Sequence, residues 1–379
     1  MRPISRLLLS CGEPSGDLYG AELVRALRAT RPELAVFGLG GDRLLAEGAQ
    51  LVAHVRDLAV VGLLEVLSHL RQIRGVFRQL LAEVDRQPPD AAVLVDYPDF
   101  NLRLARELHA RGIPVIYYVS PQIWAWRGGR IGTIRDTVHR MIVIFPFEEP
   151  LYREAGVPVT FVGHPLVDLV RPAADRRSFL ATLGLDADRP VVALLPGSRP
   201  KEVAHNLPAM AGAVALLRQR RPEVQFAVAV APSLPREAIE ARLQGLAVAL
   251  VAGQTHCIVG AATAAVVASG TATVETALLG TPMVVVYRLS GLTYALGRPL
   301  VRVPHFAMVN LIAGARVVPE LIQHEMTPEK VAAEVLALLD EPARAEAMRA
   351  ALAEVRQRMG PPGASRRAAE VVLEALEKG

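Results

Sequence analysis

Short apolar runs alternate along this chain with stretches of helical spacing. Segments 7–10, 34–38, 91–95, 115–119 and 141–145 are apolar and of strand length, while 17–29 and 102–111 carry apolar residues at helical spacing. A proline-marked stretch follows, from Gly163-His-Pro165 to Arg171-Pro172, and the series then restarts with 190–196, 224–231, 247–251, 264–268 and 282–287. This alternation predicts an α/β protein of two doubly wound, Rossmann-like domains facing a cleft. Residues 341–377, rich in Ala, Arg, Glu and Leu and broken at Gly360-Pro-Pro-Gly363, read as two helices. The expected division is 1–172, 173–355 and 356–379, the last helix packing back on the first domain. No internal repeat of 20–50 residues stands out.

Composition narrows the class. The chain has 379 residues, 51% apolar and 21% charged, which suits a globular protein of two domains. Cys11 and Cys257 are the two cysteines, too few and too far apart for a disulfide framework, which points to a reducing compartment. The N-terminal apolar run turns polar too soon for a secretory segment, and no stretch reaches the roughly 18 apolar residues of a membrane span. A cytoplasmic protein is expected. Only Lys201, Lys330 and Lys378 are lysines among 42 basic side chains. With no basic run interleaved with aromatics, nucleic acid is not an expected partner.

Candidate chemistry collects at strand ends, where open parallel sheets bind ligands. Cys11-Gly-Glu-Pro-Ser-Gly-Asp17 joins the first strand to the first helix. Its small residues admit a ligand close to the backbone, so Glu13, Ser15 and Gly16 are candidates, with Asp17 capping its own helix as the plain alternative. Asp96-Tyr-Pro-Asp-Phe-Asn101 ends the 91–95 run, and Ser120-Pro-Gln-Ile-Trp-Ala-Trp-Arg127 ends the next. Asp96, Asp99, Asn101, Ser120 and Trp124 should therefore line one site. One aspartate suits a general base and the other a helix cap, and spacing does not choose between them. In the second half, Leu195-Pro-Gly-Ser-Arg199 offers Ser198 and Arg199 to a diphosphate. Ser269-Gly-Thr-Ala-Thr-Val-Glu275 opens a helix after an apolar run, aiming amides at a phosphate and placing Glu275 where a ribose could sit. No grouping has metal-ligand spacing.

One helical face is of a different kind. Val60, Leu64, Leu67, Arg71, Arg74 and Arg78 recur at steps of three and four, apolar at the leading end and basic at the trailing end, while Leu63, Leu70, Ile73, Phe77 and Leu81 form a separate stripe toward the core. Such a face suits contact with a bilayer and its phosphates.

Together with Phe161-Val-Gly-His-Pro165 and Asn310-Leu-Ile-Ala-Gly314, these motifs, in this order, resemble the lipid-A-disaccharide synthase family over essentially the whole chain. The resemblance implies a two-domain GT-B glycosyltransferase that needs no metal or other cofactor. It would join UDP-2,3-diacylglucosamine to 2,3-diacylglucosamine 1-phosphate, giving a β-1,6-linked disaccharide 1-phosphate and UDP. It makes Asp99 the base and Arg199 the essential arginine. Ser269, Gly270, Thr271, Glu275 and Asn310 fall on the donor side. It also implies a peripheral enzyme at the cytoplasmic face of the inner membrane and leaves a homodimer open. Pro14 stands where alanine is commoner in the family, and Gly314-Ala-Arg316 where glycine is often followed directly by arginine. A UDP-N-acetylglucosamine 2-epimerase-like isomerase and a non-catalytic nucleotide-sugar-binding protein are the rival readings.

Overall fold

The computed structural model describes residues 5–58, 66–123, 129–289, 294 and 304–377. The chain divides into two compact units, one of Met1–Pro165 with Gly360–Gly379 and the other Leu166–Met359.

The first unit is built on strands β1 (Arg6–Cys11), β2 (Ala35–Gly40), β3 (Gln50–His54), β4 (Ala91–Val95), β5 (Val115–Tyr118), β6 (Arg140–Val143) and β7 (Val159–Phe161). Between them run helices α1 (Pro14–Thr30), α2 (Asp42–Ala46), α3 (Val66–Arg86), α4 (Pro98–Ala110), α5 (Arg130–Thr137) and α6 (Glu148–Glu154). The strands form one parallel sheet in the order β3-β2-β1-β4-β5-β6-β7. Leu8 stands beside Phe37 on one side and Ala92 on the other. Every residue of β4 is buried, as expected of a strand covered on both faces by crossover helices. Leu80 and Val84 of α3 and Leu104 and Leu108 of α4 pack with Leu8, Leu94 and Tyr117 in the core.

The second unit repeats the plan. It begins with the short helices α7 (Leu166–Leu169) and α8 (Arg176–Thr182), and its strands are β8 (Val191–Leu195), β9 (Gln225–Val230), β10 (Ala249–Ala252), β11 (Ala264–Ala268), β12 (Met283–Tyr287) and β13 (Glu320–Ile322). Helices α9 (Pro200–Arg220), α10 (Arg236–Glu240), α11 (Thr255–Ala261), α12 (Thr271–Leu278), α13 (Met308–Ala313), α14 (Pro328–Asp340) and α15 (Pro342–Arg358) complete it. The sheet is parallel in the order β10-β9-β8-β11-β12-β13.

The boundaries differ from 172 and 355 for local reasons. A Cβ on Gly260 would stand 2.8 Å from Cβ of Pro172, so the proline stretch is packed into the second unit. At the other end α15 runs to Arg358, whose Nη1 donates to the carbonyl of Ala313 at 2.7 Å. The final helix, α16 (Ala364–Glu377), lies with α1 in the first unit, where Arg367 Nε donates to Val162 O at 2.9 Å. Among the described residues, no helix is long and apolar enough to cross a membrane.

Candidate active site

Each sheet reverses its strand order once, between β1 and β4 in the first unit and between β8 and β11 in the second. The crevice outside the carboxyl ends at such a reversal is where doubly wound sheets take ligands. Glu13, Ser15, Gly16, Asp96 and Asp99 follow β1 and β4 at the first of these places, and Ser198, Arg199, Ser269, Gly270 and Thr271 follow β8 and β11 at the second.

At the first reversal the chain leaves β4 through Asp96 and Tyr97, both left-handed, with φ of 48° and 49°. Pro98 bars Tyr97 from the right-handed helical region, and the left-handed one costs a non-glycine residue about 1–3 kcal/mol. Buried polar groups hold the turn. Asn101, fully buried, accepts from Ser10 Oγ at 2.7 Å and donates to the carbonyls of Ser10, Val95 and Asp96. Tyr117 Oη donates to Asp96 O at 2.6 Å. Tyr97 folds its ring over Gly12, where a Cβ would stand 2.0 Å from the ring. Val119, after β5, is left-handed as well, with φ of 63°.

This clamp divides the expected residues. Asp99 lies in the first turn of α4, which starts at Pro98 and not at residue 102, because proline occupies the first helical position without losing a needed donor. Its side chain is 68% exposed and pairs with Arg130, which is only 17% exposed. Asp96 is partly buried. Burial, and then the nearby Glu13 carboxylate, push its carboxyl up to about 7, against a smaller opposing bond from the Tyr97 amide. Asn101 corrects the expectation that it lines the site, for its amide is spent on backbone and on Ser10. Ser120 is likewise buried and bonded to the Tyr152 hydroxyl at 2.7 Å. Asp17 does not cap its own helix. It lies one turn inside α1 and accepts from the amides of Gly41, Arg43 and Leu44, so it caps α2. Glu13 precedes α1 as its N-cap residue, Ser15 is partly exposed and Gly16 is buried. Trp124 lies outside the described residues, as do Val60, Leu64 and the side chain of Leu67, whereas Arg71, Arg74 and Arg78 of α3 are exposed.

The second reversal is made differently. Gly197, with φ of 123°, turns the chain after β8 into exposed Ser198 and Arg199 at the head of α9. Gly270, with φ of 148°, turns it after β11 into exposed Thr271 at the head of α12, and a Cβ there would meet nothing within 4 Å. Ser269 Oγ donates to Phe306 O at 3.0 Å. Glu275 is partly buried, with His256 Nε2 at 3.5 Å. Asn310 is the second correction. It is fully buried, donates to Val318 O and Glu320, and accepts from the amides of Val317 and Val318. It holds the approach to β13 together and has no amide to offer a ligand.

A model of the family described as Lipid-A-disaccharide synthetase matches residues 7–374. The lipid-A-disaccharide synthase of Myxococcus xanthus is 50% identical over 376 residues, 99% of this chain and 98% of that protein. Those of Syntrophus aciditrophicus and Geobacter sulfurreducens are 48% and 46% identical, each over 98% of both chains.

The chain belongs to the lipid-A-disaccharide synthase family.

Solved structures agree on the fold alone. The UDP-GlcNAc 2-epimerase of Neisseria meningitidis bound to UDP-GlcNAc has a TM-score of 0.65 at 12% identity, covering 99% of this chain and 100% of that one. CalG4, the calicheamicin glycosyltransferase, has a TM-score of 0.62 at 16% identity, covering 100% and 99%. This synthase thus has the α/β two-domain GT-B architecture, which glycosyltransferases and epimerases share. Sequence reasoning missed three residues beside its candidate groups: Arg130 at Asp99, Tyr117 under Asp96, and Glu202 at the 197–199 turn. Glu202 stands at capping-box spacing from Arg199, but arginine is not the Ser or Thr that makes this spacing readable in a sequence. The other two meet their partners through the fold, and nothing local announced them.

Proposed function

We propose that this chain is an inverting glycosyltransferase that condenses UDP-2,3-diacylglucosamine with 2,3-diacylglucosamine 1-phosphate to give the β-1,6-linked lipid A disaccharide 1-phosphate and UDP. One observation carries the reading: a single family of disaccharide synthases matches this chain from residue 7 to residue 374. The geometry supports the following roles. Asp99, exposed at the first reversal and steadied by Arg130, takes the proton from the acceptor's 6-hydroxyl as that oxygen attacks the anomeric carbon of the donor. Glu13, Ser15, Gly16 and Asp96 border the same strand ends and receive the acceptor sugar. In the second unit Arg199 and Ser198, with the amides after Gly270 and the Thr271 hydroxyl, meet the charge that grows on the departing UDP, and Glu275 accepts from its ribose. No divalent cation is required by this scheme, since guanidinium and amide donors stabilise the leaving group.

The acyl chains place the substrates at a membrane, and the 60–78 face is where this chain would meet it. The exposed Arg71, Arg74 and Arg78 favour lipid phosphates there. Replacing Leu64 and Leu67 by serine should weaken sedimentation with anionic vesicles; unchanged sedimentation would remove this part of the reading. The reaction itself is tested by UDP release in detergent micelles with EDTA present. Release that depends on the diacylglucosamine 1-phosphate acceptor supports metal-independent transfer. Release without acceptor, or none with it, refutes it.

A further inference from the structure

Glu202 has a position that helix capping alone does not exhaust. Its Oε2 accepts from the amides of Ser198 at 3.2 Å and Arg199 at 3.3 Å, and its Oε1 accepts from Arg199 Nη1 at 3.1 Å. The left-handed Gly197 backs onto the same carboxylate, where a Cβ would stand 2.8 Å from Oε2. The carbonyls of the turn are tied separately, Pro196 O by Asn206 Nδ2 at 3.0 Å and Ser198 O by Ser233 Oγ at 2.7 Å. Tyr287, at the end of β12, lies within electrostatic reach. Burial raises its phenol, Glu202 raises it further, and Arg199 lowers it. One carboxylate thus fixes both the backbone of the turn and the guanidinium that extends from it.

We propose that Glu202 is a positioning residue for the donor's diphosphate, presetting the 197–199 backbone and the Arg199 guanidinium in the arrangement that receives it. The proposal rests on the assignment of Arg199 to the donor. An arginine held in advance loses less freedom when its anion arrives, so more of the contact energy appears as affinity. A plain helix cap would move stability and leave UDP affinity alone.

The test uses the whole enzyme with Glu202→Ala and Glu202→Gln, each also combined with Arg199→Ala. It reads UDP affinity by calorimetry, donor KM, kcat and melting temperature. Glu202→Ala should raise the UDP Kd and donor KM about tenfold and leave kcat within roughly threefold, the size of one charge-assisted contact. Glu202→Gln, whose amide oxygen can still accept from the two backbone N–H groups but whose NH2 cannot accept from Arg199 Nη1, should keep the melting temperature and retain most of the rise in Kd. With Arg199 already replaced, Glu202→Ala should add less than about twofold, because the effect runs through the guanidinium. An unchanged Kd with a lower melting temperature would reduce Glu202 to a cap. A tighter Kd would make it a competitor of the diphosphate, and fully additive losses would separate it from Arg199. Should Glu202→Ala not fold, Glu202→Asp takes its place, with the same rise confined to KM and Kd expected. Wild-type enzyme that binds no UDP would overturn the donor assignment first, and this proposal with it.

Discussion

The two strand-order reversals solve one geometric problem with opposite materials. In the first unit the exit of β4 is made by Asp96 and Tyr97, side-chain-bearing residues in left-handed conformation, clamped by buried Asn101 and Tyr117. In the second unit the exits of β8 and β11 are made by Gly197 and Gly270, which adopt such angles with little strain. The Gly270 turn opens a helix whose first amides suit phosphate oxygens, whereas at the Gly197 turn Glu202 holds the amides of Ser198 and Arg199 and the Arg199 guanidinium is what meets an anion. A strained turn of side chains puts carboxylates at fixed places, which suits the removal of a proton. The first site thus depends on its buried supports, whereas the second depends on glycine turns and on the groups they present at the surface.

The sharpest way to break this contrast is at the chemistry. Asp99→Asn should lower turnover by at least about a thousandfold while the melting temperature barely moves, since the side chain is largely exposed. Turnover near wild type, followed by UDP release, would take the base away from the first unit. Arg199→Ala should lower kcat/KM by roughly a hundredfold or more, also without loss of fold. The supports should behave in reverse. Asn101→Ala leaves several buried groups unpaired and should cost about 3 kcal/mol in denaturant unfolding, while Gly270→Ala should cost about 1 kcal/mol and chiefly weaken UDP. Equal stability losses at the two positions would erase the distinction.

The effects of pH have opposite signs within one unit. His164 is buried between Tyr19 and Phe145, and burial lowers its imidazole to about 3. Its unfolded form takes up a proton below about 6.5, so its contribution is complete above that pH and is lost as pH falls toward 3. Asp96 is raised to about 7, so the folded state holds its proton more firmly, and stability declines as pH rises from about 4 toward 7. His164→Phe should flatten the acid slope, and Asp96→Asn the slope between pH 4 and 7. Unfolding midpoints measured across pH 3 to 8 check both.

Much of the architecture was legible because fully buried parallel strands read as unbroken apolar runs. The segments 91–95 and 264–268 coincide with β4 and β11 residue for residue. The short edge strands β3, β7 and β13 escaped notice, since three to five partly exposed residues carry no such run. At the sites, sequence identified which polar residues gather at strand ends but not which of them turn inward. Asn101 and Asn310 look like ligands in a motif, yet both satisfy buried backbone, a role fixed by residues far away in the chain. Asp17 stands at a helix start and caps a different helix, because its partners arrive only when β2 is placed beside β1.

The return of α16 to the first unit has a consequence for how the molecule is made. During synthesis, Leu166–Met359 leaves the ribosome as one uninterrupted piece with its whole sheet, while the unit begun earlier still lacks the segment that packs on α1. The half that starts first is finished last. Until residues 360–377 emerge, the apolar face of α1 is without its cover, and a released chain ending at residue 359 would show a protease-resistant second half beside a first half still open to cleavage.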